Sequence, residues 1–247
     1  MKALWFSISF LACALALCAT GCKNAPGKPR LGSEAANPEQ VTDFATLYGQ
    51  NCAACHGDGG KHGAAISLAN PAYLAMAGVA NIQRVTAAGV PGTMMPGFAK
   101  SSGGMLTDRQ VAVLAQGMVA AWAKPAAFSG VAPPAYASSS PGVAAHGQQV
   151  FSTFCARCHG TDGTGISTGN IHTGSLVEPA YLALISDQGL RSFIIAGQPE
   201  QGMPDWRSDT IGNTGRALTD QEVTDIVAWL AAHRTATPGQ PYQQNPQ

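Results

Sequence analysis

The 247-residue sequence is poor in charge. Asp, Glu, Lys and Arg supply 11% of it, against about 25% in an average soluble domain, and 14 basic side chains balance 14 acidic ones. With no basic stretch to meet a phosphate backbone, nucleic-acid binding is disfavoured. Strand-like alternation of apolar and polar residues is missing as well, so the expected class is all-α. No second Cys-x-x-Cys lies about 15–20 residues from the first, the spacing that a zinc site built on two such pairs needs. The seven cysteines are an odd number, which argues against a simple set of disulfides. What the chain does have is glycine (29) and proline (16), the composition of a loop-rich fold.

Lys2 is followed by an apolar run from Ala3 to Ala19 without a charged residue. Residues 1–21 therefore read as a signal peptide, with an uncleaved membrane anchor as the alternative. Ala19-Thr20-Gly21-Cys22 resembles a bacterial lipobox, with Ala19 standing where Leu is usual. That resemblance implies cleavage before Cys22, lipid attachment to it, and a place on the periplasmic face of a bacterial membrane. Residues 22–40, aperiodic and rich in Pro, Gly, Ala, Asn and Glu, read as a lipidated N-terminus and flexible tether. Residues 235–247 read as a disordered tail.

Self-comparison organises the remainder. Cys52-Ala53-Ala54-Cys55-His56-Gly57 recurs as Cys155-Ala156-Arg157-Cys158-His159-Gly160, and Pro71-Ala72-Tyr73-Leu74-Ala75 as Pro179-Ala180-Tyr181-Leu182-Ala183. Met95-Pro96 recurs as Met203-Pro204, and Leu106-Thr107-Asp108 as Leu218-Thr219-Asp220. The order is kept while the offset grows from 103 to 108 to 112, as loop insertions require. Two copies of one domain are expected, at 41–124 and 143–234, joined by a Pro/Ser/Ala-rich linker over 125–142. In each copy a helix leads into the cysteines, another begins near Pro71 or Pro179, and a last helix is N-capped by Thr107 or Thr219.

Cys-x-x-Cys-His is the attachment signal for c-type haem. Two thiols three residues apart can add to the two vinyl groups of one porphyrin, and the adjacent histidine is then held beneath the iron. Cys52, Cys55 and His56 form one such site, Cys155, Cys158 and His159 the other. A thioredoxin-like redox pair also uses Cys-x-x-Cys, but in a βαβ context and with no need for the histidine.

With these motifs the chain resembles the class I cytochrome c family, and more closely the small di-haem cytochromes and the haem subunits of cbb3-type oxidases. The resemblance spans roughly residues 41–234. It implies two tandem class I cytochrome c domains, two covalently bound haem c groups, and a methionine loop closing each haem on the far side. Met95 and Met203 match the distal iron ligands, and a thioether suits low-spin haem iron. Met94 competes with Met95, but only Met95 precedes a proline and aligns with Met203. Bis-histidine ligation through His62 or His172 is the alternative, although their loop positions suggest exposure. In the family a proline carbonyl usually orients the proximal histidine; the segments 66–68 and 174–176 lack that proline, which leaves the acceptor unassigned. In the family a small residue on the first helix lets an aromatic on the last pack across it; the second copy fits with Gly147 and Trp229, whereas in the first copy large and small are exchanged, pairing Phe44 on the first helix with Gly117 on the last.

Two protein ligands on each iron leave no open position for substrate, so outer-sphere transfer of single electrons is the expected role. The expected partner is a redox protein or membrane respiratory complex, with membrane contact through a lipid at Cys22 and no small-molecule substrate. A fixed subunit of a membrane oxidoreductase complex and a di-haem enzyme such as a peroxidase are the competing readings. Residues 41–124 carry a net charge of +2 and 143–234 a net charge of −4, compatible equally with apposition of the copies, with two different partners, and with a solvated surface whose imbalance is accidental. The cysteines then divide without remainder: Cys13 and Cys18 in the leader, Cys22 on lipid, and four on haem.

Overall fold

The computed structural model describes residues 37–128, 131–169, 171–207 and 216–235. The segment expected to be a signal peptide, Cys22 and nearly all of the expected tail lie outside the described residues. The first copy contains α1 (Phe44–Asn51), the single turn α2 (Ala53–His56), α3 (Pro71–Ala88) and α4 (Asp108–Trp122). The second contains α5 (Ala144–Phe154), α6 (Ala156–His159), α7 (Pro179–Leu184), α8 (Asp187–Ala196) and α9 (Asp220–Ala231). Its one departure from the all-α expectation is a short antiparallel hairpin, β1 (Ile166–Thr168) paired with β2 (Ile171–Thr173).

Local chemistry explains where the helices begin. Pro71 and Pro179 sit in the first turns of α3 and α7, where no intrahelical N–H is required of them. Thr107 and Thr219 close capping boxes with the residue three positions on. That residue is Gln110 in the first copy and Glu222 in the second. Gly78, at φ +63°, breaks α3 into two helical segments across a kink, and at the aligned position in the second copy Ser186 caps α8 as a separate helix.

In each copy the last helix packs across the first, α4 on α1 and α9 on α5. Leu47, Tyr48, Val111, Leu114 and Met118 are buried at one crossing, and Val150, Phe151, Val223, Ile226 and Leu230 at the other. Each large apolar side chain buried in this way contributes about 1.5–3 kcal/mol. Phe44 meets Gly117 as expected: a Cβ added there would come within 2.3 Å of the Phe44 ring. The second expected pair is corrected. Gly147 lies against backbone rather than against Trp229, since an added Cβ would stand 1.9 Å from the Asp225 carbonyl oxygen. Trp229, one turn further along α9, instead packs its ring on Phe151 at 4.4 Å.

The Pro/Ser/Ala-rich connection is also more than a spacer. Arg191, only 3% exposed, donates to the Ala135 carbonyl through Nε and Nη2 at 3.0 and 2.8 Å and pairs with Asp220. Arg207 donates to the Ala127 carbonyl at 2.7 Å, and Phe128 stacks on Trp206. Gln188 donates to the Tyr136 carbonyl at 2.7 Å. The described parts of the connection are a strap fastened to the second copy.

The capping boxes give the two copies different acid sensitivity. Glu222 is held down to about 2 by the Arg216 side chain, against the opposing effect of burial and with help from Thr219. For Asp225 burial pushes upward, but hydrogen bonds from His146, Val143 and Gln221 outweigh it and leave the carboxyl below its usual range. Both folded values are depressed, so their stabilisation is present above the unfolded value near pH 4 and is lost as the pH falls below it, for Glu222 toward about 2. The second copy is therefore expected to lose helicity first in an acid titration followed by circular dichroism. Glu222→Gln, which keeps the capping box in the form Gln110 already uses, should flatten that loss; an unchanged acid transition would refute the assignment.

Candidate haem sites

The cysteine-bearing turns are built by one device used twice. The Cys52 N–H closes α1 on the Tyr48 carbonyl at 2.8 Å, and the His56 N–H then bonds to the Cys52 carbonyl at 3.0 Å. The chain thus makes one further helical turn, which sets the Cys52 and Cys55 side chains as i, i+3 neighbours on one face. In the second copy Cys155 N–H bonds to Phe151 O at 2.8 Å and His159 N–H to Cys155 O at 3.0 Å. All four cysteines are free thiols in the polypeptide. Burial, then the neighbouring Cys55, pushes Cys52 up to about 11, and burial, then Cys158, pushes Cys155 up to about 12. Neither Cys52 nor Cys155 is thus the depressed, thiolate-forming cysteine that a redox-active pair uses. Among the described residues no group of three or more His, Cys, Asp and Glu side chains gathers as a metal site would.

His56 is buried, and its Nδ1 lies 2.8 Å from the Ile66 carbonyl oxygen. A carbonyl only accepts, so Nδ1 carries the proton and Nε2 keeps its lone pair. Burial lowers the imidazole's basicity, only partly offset by the Ile66 bond, which keeps the ring neutral. A neutral imidazole with one nitrogen tied to a carbonyl and the other free is the form that ligates iron. The acceptor that the sequence left unassigned is therefore a backbone carbonyl of Ile66. The loop that delivers it is tight: the Tyr48 hydroxyl donates to Gly57 O at 2.9 Å, and the Ala65 N–H bonds to Cys55 O at 2.9 Å. Gly57, at φ +79°, has Lys61 O only 1.6 Å from where a Cβ would be, so no other residue fits that close approach.

The second loop is five residues longer between the His-Gly and the Pro-Ala-Tyr motifs, and those residues build the hairpin. Thr173 in β2 donates its hydroxyl to the Cys158 carbonyl, and Gly165 N–H bonds to His159 O at 2.9 Å. No carbonyl reaches the buried His159 Nδ1, which has no hydrogen-bond partner. Burial keeps this imidazole neutral as well, so it retains a lone pair for a metal, but its ring is oriented by packing alone.

Each methionine loop leaves a helix at a left-handed glycine. Gly89 ends α3 and Gly197 ends α8, at φ +72° and +64°. A Cβ on Gly89 would meet Pro96 C at 2.6 Å and Met95 O at 2.7 Å, and one on Gly197 would meet Pro204 O at 2.3 Å. Both glycines therefore lie flat on a Met-Pro segment. Met95 is half-buried, its N–H bonded to Thr93 Oγ1 at 3.2 Å, whereas Met94 is 88% exposed. That favours Met95 over its neighbour. Met203, also half-buried, is held by two backbone bonds with Gln198, at 2.8 and 3.0 Å. His62 and His172 are exposed and engaged elsewhere, near Glu200 at 3.7 Å and with Ser167 at 2.8 Å. His146 pairs with Asp225 and His233 packs on Trp229. None of these four shows the buried, single-acceptor setting of His56.

Trp122 was not legible as part of this architecture. Its ring lies 5.0 Å from Tyr48 and would touch a Cβ on Gly60 at 2.9 Å, as Trp229 packs on Phe151 and would touch one on Gly163 at 3.1 Å. Trp122 thus supplies behind the first haem-binding loop the indole that Trp229 supplies behind the second, although the repeat aligns Trp229 with Gly117.

The residues fit the group that the motifs call for: thiols one turn apart, a neutral buried histidine with a free nitrogen, and a soft thioether on a separate loop. Residues 144–234 match the cytochrome c family, and residues 39–116 match the family of subunit III of cbb3-type cytochrome c oxidases. A search among curated proteins gives no match. The protein carries two covalently bound haem c groups with iron, and it is a di-haem c-type cytochrome with two cytochrome c domains in tandem.

Proposed function

We propose that this protein is a membrane-tethered carrier that passes single electrons between respiratory partners by outer-sphere transfer. The observation that carries this is the duplicated set of one histidine and one methionine per domain: His56 with Met95, and His159 with Met203. Bound haem supplies a reversible one-electron couple. The polypeptide does the rest. Cys52, Cys55, Cys155 and Cys158 would hold the porphyrins through thioether bonds, and the Ile66 carbonyl orients His56 so that its free nitrogen could ligate iron. Met95 and Met203 would supply thioether ligands, which would raise the potentials and deny the iron to small molecules. The domain limits 41–124 and 143–234 and the lipid on Cys22 belong to this reading. A second reading, a haem-carrying subunit fixed within a membrane oxidoreductase complex, is supported by the likeness of residues 39–116 to the cbb3-type oxidase subunit.

One experiment tests the proposal: a spectroscopic redox titration, with carbon monoxide added to the reduced protein, on material fractionated from membranes. The expected result is two low-spin methionine–histidine haems, no carbon monoxide complex, and recovery with the membrane fraction. Rapid carbon monoxide binding at either haem would replace the carrier by an enzyme. Recovery in the soluble fraction would remove the tether, and stable co-purification with an oxidase would select the fixed subunit.

A further inference from the structure

The two domains touch at a defined place. Asn70, 5% exposed, caps α3 with its side-chain oxygen, which accepts from Ala72 N–H at 2.8 Å and Tyr73 N–H at 3.2 Å. Its Nδ2 points the other way, out of the first domain. It donates to Ala196 O at 2.9 Å and reaches Gly197 O at 3.4 Å. Those carbonyls end α8, directly before the Gln198–Met203 pairing. A second tie runs alongside. Glu200, in the same methionine loop, accepts from the His62 N–H at 3.3 Å and lies 3.4 Å from the Ser67 hydroxyl. Ser67 follows Ile66, the residue whose carbonyl holds His56.

The aligned cap in the second domain is Glu178, which accepts from Tyr181 N–H at 2.8 Å and has no donor to offer. The first domain therefore carries an amide where its twin carries a carboxylate. An N-cap needs only an acceptor; the donor half of Asn70 is used solely across the domain boundary.

We infer that Asn70 is a positioning residue that docks the haem-binding loop of the first domain on the methionine loop of the second, and that electron exchange between the two haems passes through this contact. The inference rests on the ligand reading above. The connection is short and continuous: His56 Nδ1–H to Ile66 O, along the chain to Asn70, across to Ala196 and Gly197, and through the Gln198 N–H to Met203 O at 2.8 Å. In the exchange one electron leaves the reduced haem of one domain and enters the oxidised haem of the other. No bond forms or breaks, and no proton has to move.

The test uses the full chain with both haems in place. Asn70→Asp keeps the oxygen that caps α3 but turns an acceptor toward two carbonyl oxygens, and Glu200→Ala removes the second tie. After flash reduction, the rate of internal electron redistribution should fall about tenfold or more in Asn70→Asp, an undocking of about 1.4 kcal/mol, and further in the double variant. The midpoint potentials and the methionine–iron absorption band should not move, since neither residue touches a ligand. An unchanged rate in Asn70→Asp that retains both methionine–iron bands would overturn the inference while leaving the ligand reading intact. Loss of rate together with a changed band or potential would also overturn it, because the residue would then act on the haem sites themselves. Absence of methionine–iron bands from the parent protein would instead overturn the ligand reading on which the inference stands.

Discussion

Gly147→Ala should be the most damaging methyl group at either helix crossing, costing about 3 kcal/mol or more of stability. The added carbon would stand 1.9 Å from the Asp225 carbonyl oxygen and 2.4 Å from its carbonyl carbon. Both atoms belong to the backbone of α9, so relief requires α5 and α9 to separate along the main buried crossing of the second domain. Separation would also stretch the bonds that Asp225 accepts from His146 at 2.6 Å and from Val143 N–H at 2.8 Å. Gly117→Ala, at the matching crossing, meets the Phe44 ring at 2.3 Å. A ring on a flexible side chain can swing, so a smaller loss is expected there. Gly49→Ala, on α1 with nothing within 4 Å, should be neutral or gain up to about 1 kcal/mol from reduced chain entropy. Urea unfolding of the three variants should rank them in that order; Gly147→Ala as stable as the parent would refute the backbone crossing.

Met203→His should produce the largest functional change. On the ligation proposed above, exchanging the thioether for an imidazole removes the ligand that favours the reduced iron, so the potential of the second haem should fall by on the order of 0.1 V or more, within the roughly 0.8 V range that axial ligands span. Met95→His should do the same to the first haem, while Met94→Leu should leave both potentials in place because Met94 faces solvent. Spectroelectrochemical titration of the three variants separates the cases. A shift in Met94→Leu, or none in Met95→His, would reassign the first distal ligand.

What the sequence revealed and what it hid divide along a physical line. Features that depend on local spacing were legible: the cysteine turns, the Thr107 and Thr219 caps, and the prolines that open α3 and α7. The repeat also singled out Met95 as the residue sharing a position with Met203, and the structure leaves Met94 exposed while half-burying Met95. Features made by backbone atoms or by distant partners were not. The Ile66 carbonyl that orients His56 has no side-chain signature, since any residue carries that acceptor. The Gly147 crossing was assigned to the wrong partner because alignment names residues, whereas helix register decides which turn faces the glycine. Trp122 escaped because it fills its twin's place from five residues further along α4. The connection read as a spacer because its Pro, Ser and Ala composition says nothing of Arg191 and Arg207, which fasten it from another part of the chain.

That fastening has a consequence for how the two haem domains meet. A free coil of the 18 residues from 125 to 142 would let its ends wander over about 20–25 Å. Each domain would then sample the other at an effective concentration in the millimolar range and find it by repeated collision. Pinned at Ala127, Phe128, Ala135 and Tyr136, the connection shortens that leash. On the inter-haem exchange inferred above, the second domain is then a standing neighbour rather than a frequent visitor, and exchange should not depend on protein concentration.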